Sequence, residues 1–151
     1  MEVTTTCYIE KDDKYLMLHR IKKENDINEG KWIGVGGHVE EGESPTEAII
    51  REVKEETGLI LNSCRLRGVL TFVQNKTFTE YIFLYTSDDY SGELIEECDE
   101  GVLGWIDKDK VLDINIWDGD RVFLDMLRTT DEFFSIKYEY EGDKLINYKV
   151  E

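Results

Sequence analysis

Basic residues are scarce in this chain. Eighteen lysines and arginines stand against 34 aspartates and glutamates, a formal net charge of −16 at pH 7. Neutralising a phosphate backbone takes a basic surface, so this balance argues against a protein that wraps a nucleic acid polymer. Long apolar runs are missing too, so no membrane span and no signal peptide are expected. Cysteine is sparse: Cys7, Cys64 and Cys98 are odd in number and form no Cys-x-x-Cys pair. Reduced thiols that pack rather than catalyse, in a cytoplasmic protein, are the expectation. A single proline, Pro45, leaves no proline-rich linker, and no repeat or low-complexity tract interrupts the 151 residues. One domain spanning residues 1–151, long enough to bury a real core, is expected.

What the chain does have is concentrated between Gly37 and Leu59, in GHVEEGESPTEAIIREVKEETGL. Ser44 suits an N-cap, Pro45 the first helical position, and Glu47 follows the serine by three. Together they spell a capping box with a proline start. Gly58 suits the terminating position beyond Thr57. The pattern predicts a helix over Pro45–Thr57. Glu52, Glu55 and Glu56 then share one arc about 100° wide, and Arg51 flanks it. Ile49, Ile50 and Val53 occupy the adjoining face, which is expected to dock on a core. Like charges at these spacings each cost an isolated helix a few tenths of a kcal/mol, roughly. Solvation of an acidic face relieves that conflict, and so does a bound hard divalent cation.

The spacing beyond the helix weighs for the cation. Gly37, Glu43, Arg51, Glu52, Val53, Glu55, Glu56, Gly58 and Leu59 fit the pattern G-x5-E-x7-R-E-U-x-E-E-x-G-U, where U is a bulky aliphatic residue. Its fixed Gly, Glu and Arg positions match by chance with a probability on the order of 10⁻⁸ per start position at average residue usage. This run resembles the Nudix box of the Nudix hydrolase family, with no departure at a signature position. The resemblance implies an α/β (α+β) fold, the Nudix fold, in which a mixed β-sheet is sandwiched between α-helices. It also implies hydrolysis of a nucleoside diphosphate linked to another group, with Mg²⁺ as cofactor and Mn²⁺ as a substitute.

Position by position, the resemblance implies that Glu52, Glu55 and Glu56 bind metal, with the Gly37 carbonyl as a further ligand. Arg51 is implied to orient those carboxylates, and Glu43 to tie the loop to the helix, with Arg51 as the suggested partner. Gly34, Gly36 and Gly37 allow a tight backbone path close to phosphate oxygens. Farther along, Glu100 precedes a strand that carries Trp105, and Ile116-Trp117-Asp118-Gly119-Asp120 follows. That order resembles the MutT branch of the family, which hydrolyses oxidised purine nucleoside triphosphates. It implies that Glu100 binds metal or activates water, that Trp117 is an exposed stacking platform for the base, and that Asp120 reads the base edge. Arg20 is a candidate phosphate contact, with Lys22 and Lys23 as alternatives. His38 is a candidate in the glycine loop, and His19 is read as structural.

One departure matters. Ile33 stands where the branch commonly carries an asparagine, and an apolar side chain neither donates nor accepts a hydrogen bond. The expected reaction is therefore conversion of a nucleoside triphosphate to a monophosphate and pyrophosphate, with 8-oxo-dGTP as the model substrate but its base preference weakened by Ile33. Hydrolysis of ADP-ribose or a dinucleoside polyphosphate is the alternative within the family, and a non-catalytic nucleotide sensor is the alternative outside enzymes. The expected partner is a small nucleotide; no nucleic acid polymer and no membrane is expected.

Alternation and turn residues predict the remaining elements. Strands are expected at Val3–Ile9 and Tyr15–His19, joined by a hairpin at Lys11–Lys14, and at Lys31–Val35, Leu66–Val73, Thr79–Ser87 and Val102–Ile106. Asp88–Glu100 is read as an acidic loop. A short helix is expected from Asp107 through Leu112, and a longer one from Asp118 or Asp120 to Thr129. Phe133–Tyr140 and Lys144–Val150 flank Glu141-Gly142-Asp143 as a closing hairpin.

Overall fold

The computed structural model describes residues 1–151. The chain opens with two strands, β1 (Glu2–Lys11) and β2 (Lys14–His19). Asp12 and Asp13 at the turn between them have φ of 51° and 61°. A two-residue hairpin turn of type I′ needs positive φ at both central positions, and aspartate tolerates that region better than most residues. Next come β3 (Trp32–Ile33), β4 (Val35–His38) and the helix α1 (Pro45–Thr57). Two long strands follow, β5 (Leu59–Gln74) and β6 (Phe78–Gly92), then β7 (Glu97–Cys98) and β8 (Gly101–Asp107). A 3-10 turn at Val111–Asp113 leads to α2 (Asp118–Thr129), and the hairpin β9 (Phe134–Glu141) and β10 (Lys144–Val150) closes the chain.

The strands form one mixed sheet in the order β10-β9-β5-β6-β1-β2-β8-β7, with β3 beside β2 and β4 beside β1. β1 runs parallel to β6 and β5 runs parallel to β9, while the other pairings are antiparallel. Strand side chains alternate between faces, so each central strand feeds two cores. Tyr8 and Met17 join Phe123, Leu124 and Ile136 on the α2 face. Cys7, Ile9, Leu16 and Leu18 join Ile49 and Val53 of α1 on the other. Burying a side chain such as Ile49 is worth about 1.5–3 kcal/mol, and these contacts hold α1 against the sheet. The expected mixed sheet between helices is the one found. Neither helix is long and apolar enough to cross a membrane.

The capping box is present in full. Ser44 Oγ accepts from the Glu47 backbone N–H at 3.0 Å, and Glu47 Oε1 accepts from the Ser44 N–H at 2.9 Å. Gly58 ends the helix with φ of 79°. Several expectations need correction. Ile50 is exposed rather than docked, and Ala48 is buried in its stead. The single strand expected at Lys31–Val35 is two strands on different partners. Ile33 pairs with Leu18 of β2, whereas Val35 pairs with Cys7 of β1. The switch happens at Gly34, where an added Cβ would fall 2.4 Å from Thr6 Oγ1, so no larger residue fits the crossing. Gly36, Gly37 and His38 accordingly lie in a strand, not a loop. The acidic loop read from Asp88 is β6 as far as Gly92, and β5 begins seven positions before Leu66, at Leu59. These polar extensions pair with each other, Leu59 beside Gly92. The helix expected from Asp107 shortens to the 3-10 turn.

Candidate active site

Glycines let β4 lie close to both of its neighbours. A Cβ on Gly37 would sit 2.6 Å from the Glu52 carboxyl carbon of α1, and one on Gly36 would sit 1.9 Å from the Thr5 carbonyl oxygen of β1. Through this thin wall Glu52 and Glu56 reach a cavity of about 670 Å³ on the far side of β4. Glu100, Arg20, Ile33, Gly36, Gly37, His38, Trp117 and Asp120 line the same cavity. The fold thus gathers nearly all the expected site residues, drawn from five separated segments.

Arg51 does not line the cavity; it organises one wall. Its Nε and Nη2 donate to the two Glu43 oxygens at 2.8 and 2.9 Å, and Nη1 donates to Glu52 Oε1 at 2.8 Å. Nη2 also donates to the His38 carbonyl at 3.1 Å. The suggested Glu43–Arg51 tie is therefore present. These bonds hold the Glu43 carboxyl down at about 2, and they hold the Arg51 guanidinium above its usual range. Glu55 corrects an expectation. It bonds weakly to Arg51 at 3.3 Å, its side chain is 60 % exposed, and it faces away from the cavity.

Glu56 is strongly perturbed. Its Oε2 is buried with no hydrogen-bond partner. Burial first, then the nearby charges of Glu100 and Glu52, push its carboxyl up to about 8. An orphaned carboxylate oxygen among other carboxylates offers hard oxygen donors, which suits Mg²⁺ or Mn²⁺. No three acidic, histidine or cysteine side chains yet stand together closely enough to close round an ion. Cations pair with the neighbours. Arg51 takes Glu52, while Arg20 takes Glu100 at 2.9 Å and Lys23 takes it at 3.4 Å. Arg20 also pairs with Asp26 at 2.7 Å, so its guanidinium is engaged rather than free for a phosphate. Lys22 is likewise committed to Glu97 and to the Cys98 carbonyl.

The other end of the cavity is apolar and aromatic. Trp117 is 7 % exposed and belongs to the core. Its Nε1 donates to Asn28 Oδ1 at 2.7 Å, and its ring meets Phe72 and Tyr140 edge-on. The expected exposed stacking platform is corrected to a buried wall that shows only part of itself. Asp120, at the start of α2, is pushed up to about 7 by burial, against the pull of Lys31 and Arg121. His38 ends β4 and turns to Glu2 at 3.1 Å, exposed at the cavity mouth. His19 stacks on Trp32 at 4.5 Å, in keeping with its structural reading.

Thr4, Tyr8, Phe72 and Glu80 are among the lining residues that escaped the sequence reading. Only alternation along β1 could have pointed to Thr4, Thr6 and Tyr8 as one face; nothing local marked Glu80.

Known proteins resemble this chain along most of its length. The family model described as NUDIX domain matches residues 2–127, and the chain belongs to the Nudix family. It is 29% identical over 156 aligned residues to the uncharacterized Nudix hydrolase YvcI of Bacillus subtilis, covering 100% of this chain and 95% of that protein. It is 28% identical over 131 residues to the oxidized purine nucleoside triphosphate hydrolase of Danio rerio, covering 85% of this chain and 83% of that one. The crystal structure of a mutator MutT protein from Bacillus halodurans matches with a TM-score of 0.91 at 26% identity, covering 100% of this chain and 98% of that one. The chain is thus a MutT-like Nudix hydrolase, a class that acts on pyrophosphate bonds.

Proposed function

We propose that this protein is a Mg²⁺-dependent nucleoside triphosphate pyrophosphohydrolase acting on purine nucleotides, oxidised ones included. The observation that carries the reading is the buried, unpartnered Glu56 Oε2 at one end of a cavity whose other end is built from Trp117, Phe72 and Asp120. A phosphate chain over the glutamates and a base against the aromatic wall would fill both ends. The Danio rerio relative is named for this substrate class.

Glu52, Glu56 and Glu100, with the Gly37 carbonyl, would hold the ion. When bound, it neutralises phosphate oxygens and acidifies a water. The chain's own part is positional. Arg51 keeps Glu52 aimed through the glycine wall. Burial and the charges of Glu100 and Glu52 favour the protonated form of Glu56, and a cation held there would favour the ionised form. Arg20 holds Glu100 at the cavity's edge. Water attack at the β-phosphorus breaks its bond to the α–β bridging oxygen, giving a nucleoside monophosphate and pyrophosphate.

The test is pyrophosphate and phosphate release with Mg²⁺ across 8-oxo-dGTP, 2-oxo-dATP, the ordinary triphosphates, ADP-ribose, NADH and diadenosine tetraphosphate. The reading expects a purine triphosphate to lead in kcat/KM, with pyrophosphate as product. A lead for ADP-ribose or a dinucleotide would overturn the triphosphate assignment.

A further inference from the structure

Most carboxylates of the cavity have cations. Glu52 has Arg51, Glu100 has Arg20 and Lys23, and Asp26 has Arg20. Among the half-buried or buried ones, Glu56, Asp120 and Glu80 have no ion pair within 4 Å. Glu56 sits at the phosphate end. That leaves Asp120 and Glu80 for the aromatic end, and Glu80 has no part in the site as described so far.

Glu80 lies on β6, directly across from Phe72 of β5 on one side and Glu2 of β1 on the other. Paired residues on neighbouring strands hold their Cβ atoms about 4.5–5.5 Å apart on the same face. Glu80 therefore stands beside the Phe72 ring, on the face of the sheet that α2 covers. Ile82, two positions on, continues that face into the cavity. One Glu80 oxygen, Oε2, accepts from the Thr4 hydroxyl at 2.7 Å. Oε1 accepts from no protein group. Burial raises the Glu80 carboxyl above its ordinary range, Thr4 opposes this, and Glu2 adds to it. Its charge in turn helps raise Asp120. That oxygen is not sealed off, so a donor entering the cavity can reach it.

The base-reading chemistry around it is thin. Ile33 offers no polar atom, and Gly119 has no side chain; its N–H already donates to the Tyr140 hydroxyl at 2.6 Å. A flat ring lying over Phe72 and Ile82 would bring its edge to Glu80.

We propose that Glu80 is a base-reading residue: its idle oxygen accepts from the exocyclic amino group of a purine, so that the cavity prefers amino-purines to their oxo counterparts. Thr4 is its positioning residue, holding the other oxygen. This rests on the reading of the cavity's aromatic end as the base site, and it is separable from the reaction assigned to the phosphate end.

The experiment measures binding of GMP, AMP, IMP, XMP and ribose 5-phosphate by calorimetry, with triphosphate turnover measured in parallel. Wild type is expected to bind GMP and AMP at least tenfold more tightly than IMP and XMP, the size of one charge-assisted hydrogen bond. Glu80→Gln is expected to bring that ratio to within about threefold of parity, with ribose 5-phosphate binding unchanged and the melting temperature held. Thr4→Val is expected to reduce the ratio partway. A wild type that does not discriminate, a Glu80→Gln that keeps full discrimination, or an equal loss for ribose 5-phosphate would each overturn the assignment. Discrimination lost in Glu80→Gln with no triphosphate hydrolysed by wild type would sustain Glu80 and overturn the reaction instead.

Discussion

Gly37 and Glu52 touch across the gap between β4 and α1, with 2.6 Å separating the position of a Gly37 Cβ from the Glu52 carboxyl carbon. One methyl group there must displace the glutamate, because the backbone of β4 is locked to β1 by the Thr5–Gly37 pairing. Gly37→Ala is expected to cut turnover at least tenfold while the melting temperature falls by only a few degrees. Full activity in the folded variant would show that Glu52 need not pass through this wall.

Glu55 and Glu56 are neighbours with different fates. Glu56→Gln is expected to lower kcat at least a hundredfold, since a ligand oxygen is lost from a buried position. Glu55→Gln, on the solvent side, is expected to stay within tenfold of wild type. Equal losses in steady-state assays would place Glu55 back in the site.

Arg51 spends its planar fork on both Glu43 oxygens and reaches Glu52 as well. Lysine carries the charge but has no fork. Arg51→Lys is expected to lower turnover about tenfold or more and to release Glu43 from the β4–α1 junction, read as a lower midpoint in urea unfolding. A variant of unchanged stability and turnover would reduce Arg51 to a charge.

Asp120 predicts a pH dependence. Its folded pKa of about 7 lies above the unfolded value near 3.9, so the native state holds the extra proton between them. The stability this contributes is fully present below about pH 4 and is lost as pH rises through about 7. Asp120→Asn is expected to be more stable than wild type at pH 8, on the order of 3 kcal/mol, with the difference closing by pH 4. Unfolding curves at several pH values check this; parallel curves would mean the group is solvated.

Trp117 is expected to matter for stability first. Trp117→Ala removes a core aromatic and should cost about 3–5 kcal/mol. Trp117→Phe keeps most of the packing and loses the Asn28 bond, so its melting temperature should lie between the two. A stable Trp117→Ala with raised KM would restore the exposed platform.

The parts legible in the sequence were those set by neighbours along the chain. Ser44, Glu47 and Gly58 delimit α1 through contacts three or four residues away, and Asp12-Asp13 makes its turn unaided. Glu43 and Arg51 could be paired because one helix and its lead-in loop hold both. Ile50 and Glu55 were misplaced for one reason: each lies next to the correct stripe, and a helical wheel does not say how wide the buried strip is. Gly34 gave no sign of a partner switch, because the switch depends on Thr6 and Tyr8 of a strand more than two dozen residues away. Glu80 is the extreme case. Its meaning comes from Thr4, 76 positions earlier, and from Phe72 on the neighbouring strand.

The parallel pairing of β1 with β6 joins Glu2 to Glu80 and Ile9 to Ser87, a separation of 78 positions throughout. Such distant pairings form late, since a long loop must close before any contact rewards it. During synthesis, β1 must wait for β6 to leave the ribosome, and the cavity then waits for Trp117 and Asp120. The helix α1 can coil early on its own capping signals, but the cavity it borders is absent until the chain is nearly finished. A nascent or truncated chain would carry the complete Nudix box and no place for a nucleotide.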